Sequence, residues 1–253
     1  RGLLAVLGGA AMPGAALLAA QAGMRAGAGL ATLLVPEAAW PVYAARAPFH
    51  LIVKAFADVD GLGEVLREER LRAAVMGPGA GVGAATRHAV ETVRARRLPA
   101  VFDADALAAA TEAPLYPAAV LTPHDGEFSR HFQDLAPLLS GDRLAAARAA
   151  AARIGAVVLL KGPATVIAAP DGRAIINGQA PPWLATAGAG DVLAGLIGGL
   201  LAQGVPAFEA AAMGCWLHAA AAKRCGLGLV ATDLPEAVQA VLQALHERVD
   251  VPV

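Results

Sequence analysis

Short apolar runs alternate along this chain with longer, alanine-rich segments. Each run is rich in Val, Ile and Leu and is bounded by glycine, proline or polar residues, which is typical of buried strands. The runs are LLAVLG (3–8), LATLLV (30–35), LIVKAF (51–56), AAVMG (73–77), PAVFD (99–103), AAVLTP (118–123) and AVVLLKG (156–162). Helical patterns lie between most of them, for example at 13–27, 84–97 and 141–154. This alternation predicts an α/β fold with a central, mostly parallel sheet and helices on both faces.

The pattern changes in the last third of the chain. The stretch TVIAAPDGRAIIN, residues 165–177, predicts a β-hairpin that turns at Asp171-Gly172. Three long helical segments follow, at about 189–203, 206–225 and 233–248. No linker, repeat or low-complexity tract interrupts the 253 residues, so we expect one domain over 1–253.

Composition and charge narrow the class of partner. The chain carries 20 Lys plus Arg against 21 Asp plus Glu, so it lacks the single-sign surface that would indicate nucleic acid or an anionic membrane. Its longest apolar stretch, residues 192–202, is shorter than the roughly 20 residues of a membrane span. Cys215 and Cys225 share one predicted helix without metal-ligand spacing, so we expect both to be reduced core residues. We also expect no signal peptide. We therefore expect a cytoplasmic protein that binds a small molecule.

A glycine-rich loop, MGPGAGVGAA at 76–85, follows one predicted strand and opens a helix. Gly79, Gly81 and Ala84 satisfy a relaxed dinucleotide-binding pattern, and Asp103 ends the next predicted strand. The pattern is weak by itself because glycine turns occur wherever a backbone must approach a helix or ligand closely. It also follows the fourth predicted strand, whereas the dinucleotide fingerprint usually opens a fold.

Polar side chains follow the next two predicted strands. In VFDADAL, Asp103 and Asp105 can hold Mg²⁺ through water or position a polar substrate, or one of them caps the helix that begins near Ala106. In LTPHDGEFSR, His124 and Glu127 can contact a substrate amide or phosphate. Alternatively, this stretch is a loop in which His124 is merely exposed.

A lysine and a glycine end the last predicted parallel strand. In LLKGPAT, Lys161 and Gly162 suit a nucleotide phosphate, because the glycine lets backbone N–H groups approach the anion. The spacing is not that of a Walker A loop. Alternatively, Lys161 is an exposed strand end.

The stretch TAGAGDVLAG, residues 186–195, places one carboxylate among glycines and small residues at the predicted start of a helix. The N–H groups of Ala187, Gly188, Ala189 and Gly190 can form an anion hole there, where the helix dipole also favours negative charge. Asp191, in the first turn, can accept a proton from an attacking hydroxyl. An anion hole next to a base is typical of phosphoryl transfer. Alternatively, Asp191 only complements the helix dipole.

Together these segments carry a family resemblance. TAGAGDVLAG resembles the anion-hole and catalytic-aspartate motif of the ribokinase-like superfamily. With GGAAMPGAALLAAQAGMRAGAGL, GPGAG, VFDADAL, LTPHDGEF and LLKGPATVIAAPDG in this order, the chain resembles the ADP-dependent (S)-NAD(P)H-hydrate dehydratases over nearly all of residues 3–248. The resemblance implies a three-layer α/β/α fold of the ribokinase-like type. It also implies a lyase that repairs hydrated NADH and NADPH, phosphorylating the ring hydroxyl from ADP (ATP in eukaryotic members) and then expelling phosphate.

The resemblance also implies roles for particular residues. Asp191 would be the base, and Gly190 with its neighbours the anion hole. Ala15, Gly79 and His124 would contact the hydrate. The AMP part of ADP would be bound by Lys161, Gly162, Pro163, Ala164 and Thr165. Mg²⁺ is the implied metal, with ligands that the motifs do not assign, and relatives form homotetramers.

The chain departs from the family pattern at several positions. Ala10 stands where a serine is usual, and Asp125 where a proline follows the loop histidine. The turn before the anion hole reads GQAPPWL, residues 178–184, in which Trp183 could reshape the access to the site or stack on a ring. Many bacterial relatives carry a preceding epimerase domain, so this chain could be the second half of a bifunctional protein.

Two other functions share parts of this pattern. A small-alcohol kinase, of the hydroxymethylpyrimidine or hydroxyethylthiazole type, would share Asp191 and the anion hole without pairing LTPHDGEF with GPGAG. A non-catalytic nucleotide-binding module would keep the glycine loops and would have no reason to keep Asp191.

Overall fold

The computed structural model describes residues 1–248, and its nine strands form one sheet. The strands are β1 (Leu3–Leu7), β2 (Leu30–Pro36), β3 (Leu51–Phe56), β4 (Leu71–Met76), β5 (Ala100–Phe102), β6 (Ala119–Leu121), β7 (Val157–Leu160), β8 (Thr165–Ala168) and β9 (Ala174–Asn177). Their spatial order is β3-β2-β1-β4-β5-β6-β7-β8-β9. Pairing is parallel from β3 to β7 and antiparallel from β7 to β9. The predicted mostly parallel sheet and terminal hairpin are confirmed.

Helices cover both faces of the sheet. They are α1 (Pro13–Arg25), α2 (Trp40–Arg46), α3 (Val59–Leu66), α4 (Ala84–Arg96), α5 (Leu107–Ala110), α6 (Asp125–His131), α7 (Arg143–Ile154), α8 (Ala189–Leu201), α9 (Ala207–Cys225) and α10 (Leu234–Arg248). One core joins the sheet to α1, α2, α8, α9 and α10, and a second core joins the opposite face to α3 through α7. Within β1, Leu4 and Val6 face the first core while Ala5 and Leu7 face the second, as strand alternation requires.

Helices α1 and α8 pack through small residues. A Cβ on Gly195 would lie 2.1 Å from the Ala19 carbonyl oxygen, and one on Gly199 would lie 2.3 Å from the Gly23 carbonyl oxygen. Only glycine permits this approach, because any larger residue would collide with the backbone of α1. Gly195 and Gly199 thus allow the body of α8 to pack directly against α1. Among residues 1–248, each helix falls short of the length or the hydrophobicity that a membrane span requires.

One helix lies where the sequence predicted a loop. Helix α6 begins at Asp125, inside LTPHDGEFSR, and Phe128 on it is completely buried. The stretch is too short and too polar for the helical period to be recognised, and tertiary burial of Phe128 decides the conformation.

Candidate active site

The carboxyl ends of the parallel strands bring the predicted polar residues to one edge of the sheet. Asp103 directly follows β5, His124 follows β6 and Lys161 directly follows β7. The parallel pairing continues past the strand ends, because the Lys161 N–H donates to the Pro123 carbonyl at 2.8 Å. These three strands are neighbours in the sheet, so residues far apart in sequence meet at this edge.

Lys161 is the centre of a buried charge network. Its Nζ lies 2.8 Å from Asp103 Oδ1 and 3.7 Å from Glu127 Oε2. The Asp103 side chain is 2 % exposed and that of Lys161 is 21 % exposed. Burial acts to lower the pKa of Lys161, yet the facing carboxylates Asp103 and Glu127 raise it overall, so the amine stays charged. The interpretation of Lys161 as an exposed strand end is wrong.

Neither Asp103 nor Asp105 caps the helix near Ala106. Asp103, the residue before the short 3-10 turn at 104–106, makes no capping hydrogen bond with its side chain, and its carboxylate binds Lys161 instead. Asp105 Oδ2 accepts a hydrogen bond of 2.8 Å from the Gly81 N–H in the glycine-rich loop. Between the two carboxylates, Ala104 has a φ of +44°, a strained conformation for a residue other than glycine.

His124 has a structural role that the sequence interpretation missed. Its Nδ1 accepts hydrogen bonds from the Gly126 N–H at 3.0 Å and the Glu127 N–H at 3.3 Å. The Glu127 carboxylate in turn accepts a 2.8 Å hydrogen bond from the His124 N–H, which completes a capping box at the start of α6. The imidazole remains more than half exposed, so His124 is held in place and still available to a ligand. The glutamate three residues after a polar residue was the available sequence signal.

Asp191 occupies the first turn of α8, as predicted. The preceding Gly188 has a φ of +86°, and the Ala189 N–H donates to the Thr186 carbonyl at 3.2 Å, which removes it from the predicted anion hole. Burial and the nearby charge of Asp103 raise the pKa of Asp191 to about 6, with Lys161 acting in the opposite direction. A carboxylate with a pKa near neutral is a stronger base than an ordinary aspartate and is still ionised at pH 7.

A cavity of about 840 Å³ opens beside Lys161 and the start of α8. This volume lies within the range of small-molecule sites. Of the predicted residues, the cavity is lined by His124, Lys161, Gly162, Pro163, Thr165, Ala189 and Gly190. Further apolar walls come from Pro181, Pro182, Leu184, Leu193 and Ala219. Cys215 and His218 of α9 also line it, and neither was predicted as a site residue, because an alanine-rich helix does not show which of its faces borders a cavity.

The other residues that the family resemblance assigns to the site lie outside the lining of this cavity: Ala15, Gly79, Ala164, Ala187, Gly188 and Asp191. Ala15 and Gly79 are neighbours, since a Cβ on Gly79 would lie 3.1 Å from that of Ala15. A Cβ on Gly9 would lie 2.4 Å from the Gly79 carbonyl oxygen, and one on Gly77 would lie 1.7 Å from the Asp103 carbonyl oxygen. We call Gly9, Gly77, Gly79 and Ala15 the glycine cluster.

The residues at the positions that depart from the family pattern are held by the protein itself. Trp183 donates from Nε1 to the Ala222 carbonyl at 3.0 Å and packs on the core, and the neighbouring Pro181, Pro182 and Leu184 line the cavity instead. Asp125 pairs with Arg143 at 2.6 Å, and Arg143 also donates to the Lys161 carbonyl at 3.0 Å. Nothing in the structure explains Ala10, which is exposed.

The chain is similar to known proteins over most of its length. A family model described as NAD(P)H-hydrate dehydratase matches residues 3–243. An ADP-dependent (S)-NAD(P)H-hydrate dehydratase of Neisseria meningitidis serogroup B is 41 % identical over 231 aligned residues, covering 87 % of this chain and 76 % of the relative. A bifunctional NAD(P)H-hydrate repair enzyme of Moorella thermoacetica is 38 % identical over 98 % of this chain. The chain spans about half the length, 50 %, of that bifunctional relative.

Solved structures show the same architecture. An ADP/ATP-dependent NAD(P)H-hydrate dehydratase from Bacillus subtilis, co-crystallized with ATP/Mg²⁺, superposes with a TM-score of 0.82 and 31 % identity, covering 96 % of this chain and 88 % of that one. A ribokinase-like superfamily protein from Enterococcus faecalis gives a TM-score of 0.84 with 26 % identity over 96 % of this chain and 87 % of its own. The predicted ribokinase-like three-layer fold is confirmed.

Proposed function

The chain belongs to the NAD(P)H-hydrate dehydratase family, and we propose that it converts the (6S) hydrates of NADH and NADPH back to the dinucleotides, with ADP as phosphoryl donor. The observation that carries this proposal is the position of Asp191. It lies in the first turn of a helix whose first residues line a nucleotide-sized cavity, it is close enough to Lys161 for the two charges to interact, and its pKa is about 6.

The proposed reaction has two steps. Asp191 takes the proton of the ring hydroxyl as its oxygen attacks the terminal phosphorus of ADP, and AMP leaves. The lone pair of the ring nitrogen then expels phosphate, which carries the former hydroxyl oxygen, and loss of a proton from the adjacent ring carbon restores the double bond. Phosphate is a good leaving group where hydroxide is poor, so a kinase-like site is sufficient for a lyase.

The residues around Asp191 have complementary roles in this proposal. The AMP part of the donor is bound by Lys161, Gly162, Pro163, Ala164 and Thr165. Ala187, Gly188 and Gly190 supply backbone N–H groups to the transferring phosphoryl group, at a helix start where such groups lack intrahelical partners. Ala15, Gly79 and His124 contact the hydrate. The carboxylates of Asp103 and Glu127 keep the Lys161 amine charged next to the start of α8.

We include Mg²⁺ in the proposal as a partner of the ADP phosphates. Among residues 1–248, no group of three or more His, Cys, Asp or Glu side chains is placed to hold a metal ion. This fits a magnesium ion that keeps several waters and binds mainly to nucleotide phosphates, with Asp103 and Asp105 as the nearby carboxylates. When bound, the ion would neutralise charge on the phosphates.

We extend the proposal to a cytoplasmic homo-oligomer, with the homotetramer as the specific expectation. Two free cysteines, Cys215 and Cys225, support a reducing compartment. Met213 and Trp216 on α9 and Ile175 and Ile176 on β9 are partly exposed, and such apolar surface supports self-association. Sedimentation equilibrium measures the assembly size.

Absorbance at 340 nm tests the activity directly. Purified protein is mixed with chemically hydrated NADH, Mg²⁺ and ADP, and in a second cuvette with ATP. The proposal expects a rise in absorbance that requires nucleotide, with AMP and phosphate appearing in step when ADP is the donor. No rise with either nucleotide overturns it, and phosphorylation of a small alcohol by the same protein would favour the kinase of the hydroxymethylpyrimidine or hydroxyethylthiazole type.

A further inference from the structure

His218 is a buried histidine on the wall of the cavity. Cys215, His218 and Ala219 lie on one face of α9, three and four residues apart, and all three line the cavity. Cys215 Sγ accepts a hydrogen bond of 3.2 Å from Asn177 Nδ2, so its polar atom is satisfied. The polar group on this helical face that remains to be explained is the imidazole of His218, which is 7 % exposed.

One ring nitrogen of His218 has no partner. Within residues 1–248, five buried side-chain polar atoms make no hydrogen bond, and His218 Nε2 is the one whose residue lines the cavity. An unpaired buried nitrogen lowers the stability of the folded protein unless a bound molecule pairs with it. The unpaired atom therefore points to a ligand with a hydrogen-bonding group at this wall.

The charge state of His218 limits the kind of ligand group. Burial lowers the pKa of His218 to about 4, a hydrogen bond to the Ala189 backbone acts the other way, and the charge of Lys161 lowers it further. The imidazole is thus neutral at pH 7 and does not neutralise a phosphate. In the same cavity the Lys161 amine and the start of α8 are the groups suited to attract phosphates.

We propose that His218 binds the nucleoside part of the nucleotide, with Nε2 paired to a polar atom of the base or ribose. The inference rests on the proposed function and adds a specificity residue to the same site. The apolar side chains of Pro163, Pro181, Pro182, Leu184 and Leu193 suit a heteroaromatic ring, and a neutral imidazole is the polar group that orients it there.

Calorimetric titration of the purified chain tests this role. The ligands are ADP, IDP, 2′-deoxyADP and inorganic pyrophosphate, each with Mg²⁺. The variant His218→Phe keeps a planar ring and removes both nitrogens. The matched control is His88→Phe, because His88 Nε2 is also buried and unpaired but lies outside the cavity, beside Gly63 of α3.

We expect His218→Phe to weaken ADP binding about tenfold, the value of one hydrogen bond, and to leave pyrophosphate binding unchanged. His88→Phe should leave both unchanged. If the contact is to the 6-amino edge of the base, the wild-type preference for ADP over IDP disappears in His218→Phe. If it is to the 2′-hydroxyl, the preference for ADP over 2′-deoxyADP disappears. ADP affinity within twofold of wild type, or an equal loss for pyrophosphate, overturns the inference.

A second measurement covers a variant that fails to fold. In ¹⁵N-histidine NMR of the wild-type chain, the Nε2 resonance of His218, assigned with His218→Gln, should shift when ADP is added and stay in place with pyrophosphate. No shift with ADP overturns the inference. Binding is measured without hydrate, so a chain that binds ADP through His218 but does not turn over hydrate refutes only the proposed function. Wild-type protein that binds no nucleotide refutes both.

Discussion

The cavity and the glycine cluster are built in different ways. The cavity is shaped by side chains, with apolar walls, the buried Asp103–Lys161 pair at 2.8 Å and the neutral imidazole of His218. In the glycine cluster, backbone lies against backbone, and a Cβ at Gly77 would lie 1.7 Å from a carbonyl oxygen. Side chains can be exchanged one group at a time, whereas a backbone contact permits no substitution without a shift of the loops. Substitutions in the cavity should therefore change binding and stability by graded amounts. Substitutions in the glycine cluster should each cause a large loss of stability.

The substitution Asp191→Asn should slow the chemical step without altering the cavity or the glycine cluster. Its expected effect is the largest. Loss of the base should reduce turnover of hydrated NADH by about 10²- to 10⁴-fold, while ADP affinity stays within about twofold because the cavity is intact. Absorbance at 340 nm and calorimetry measure the two quantities. The control is Asp171→Asn, which changes an exposed carboxylate in the β8–β9 turn. Near-normal turnover by Asp191→Asn would refute its role as base.

The substitution Lys161→Met tests whether the ion pair between Lys161 and Asp103 stabilises the cavity. The substitution leaves the Asp103 carboxylate, 2 % exposed, without its cation, and we expect a loss of about 3 kcal/mol in the free energy of unfolding. Urea denaturation measures it. The double variant Lys161→Met with Asp103→Asn should recover a large part of that loss, because no unpaired buried charge remains. Equal stability of the single and double variants would contradict the assigned pairing.

The substitution Gly77→Ala tests whether the close backbone contact in the glycine cluster is needed for stability. Gly77 has a φ of +120°, and the added Cβ would meet the Asp103 carbonyl oxygen, so we expect a loss of about 3 kcal/mol from strain and overpacking. Gly81→Ala is the matched control. It also has a positive φ, +81°, but no atom lies within 4 Å of the added carbon, and it should cost only about 1 kcal/mol. Thermal unfolding compares the two, and equal losses would show that the close contact is unimportant.

The smallest expected effect is a gain in stability from Asp191→Asn. Because folding raises the Asp191 pKa from 3.8 to about 6, the native state binds its proton more tightly, and stability falls as the pH rises through this window. At pH 7 the ionised carboxylate should cost about 1–2 kcal/mol after allowance for partial solvation, and the neutral amide avoids that cost. The variant should therefore be more stable than wild type at pH 7 and equally stable below pH 4. Urea titrations at both values measure this, and a variant no more stable at pH 7 would contradict the raised pKa.

These regions also differ in how well the sequence predicts them. Alternation and turn residues were sufficient for the strands and for the hairpin at Asp171-Gly172, because both signals are local. Neighbouring parallel strands end at the same edge of a sheet, and this was sufficient to predict that His124 and Lys161 lie at one edge. The pairing of Lys161 with Asp103 depends on the spatial order of β5, β6 and β7, which no local pattern contains. The position of His218 in the cavity wall depends on the rotation of α9 about its axis, and tertiary packing determines that rotation.

The close packing of α8 on α1 has a consequence for motion during turnover. Since Gly195 and Gly199 bring the two backbones into direct contact, α8 has no room to slide or tilt, and its amides should be among the slowest in the chain to exchange with deuterium. Asp191 therefore belongs to a fixed part of the scaffold. Entry and release of ligands should then depend on the segment 178–186, which lines the cavity, contains one 3-10 turn and is anchored on α9 through Trp183. Its amides should exchange faster than those of α8 when no nucleotide is bound.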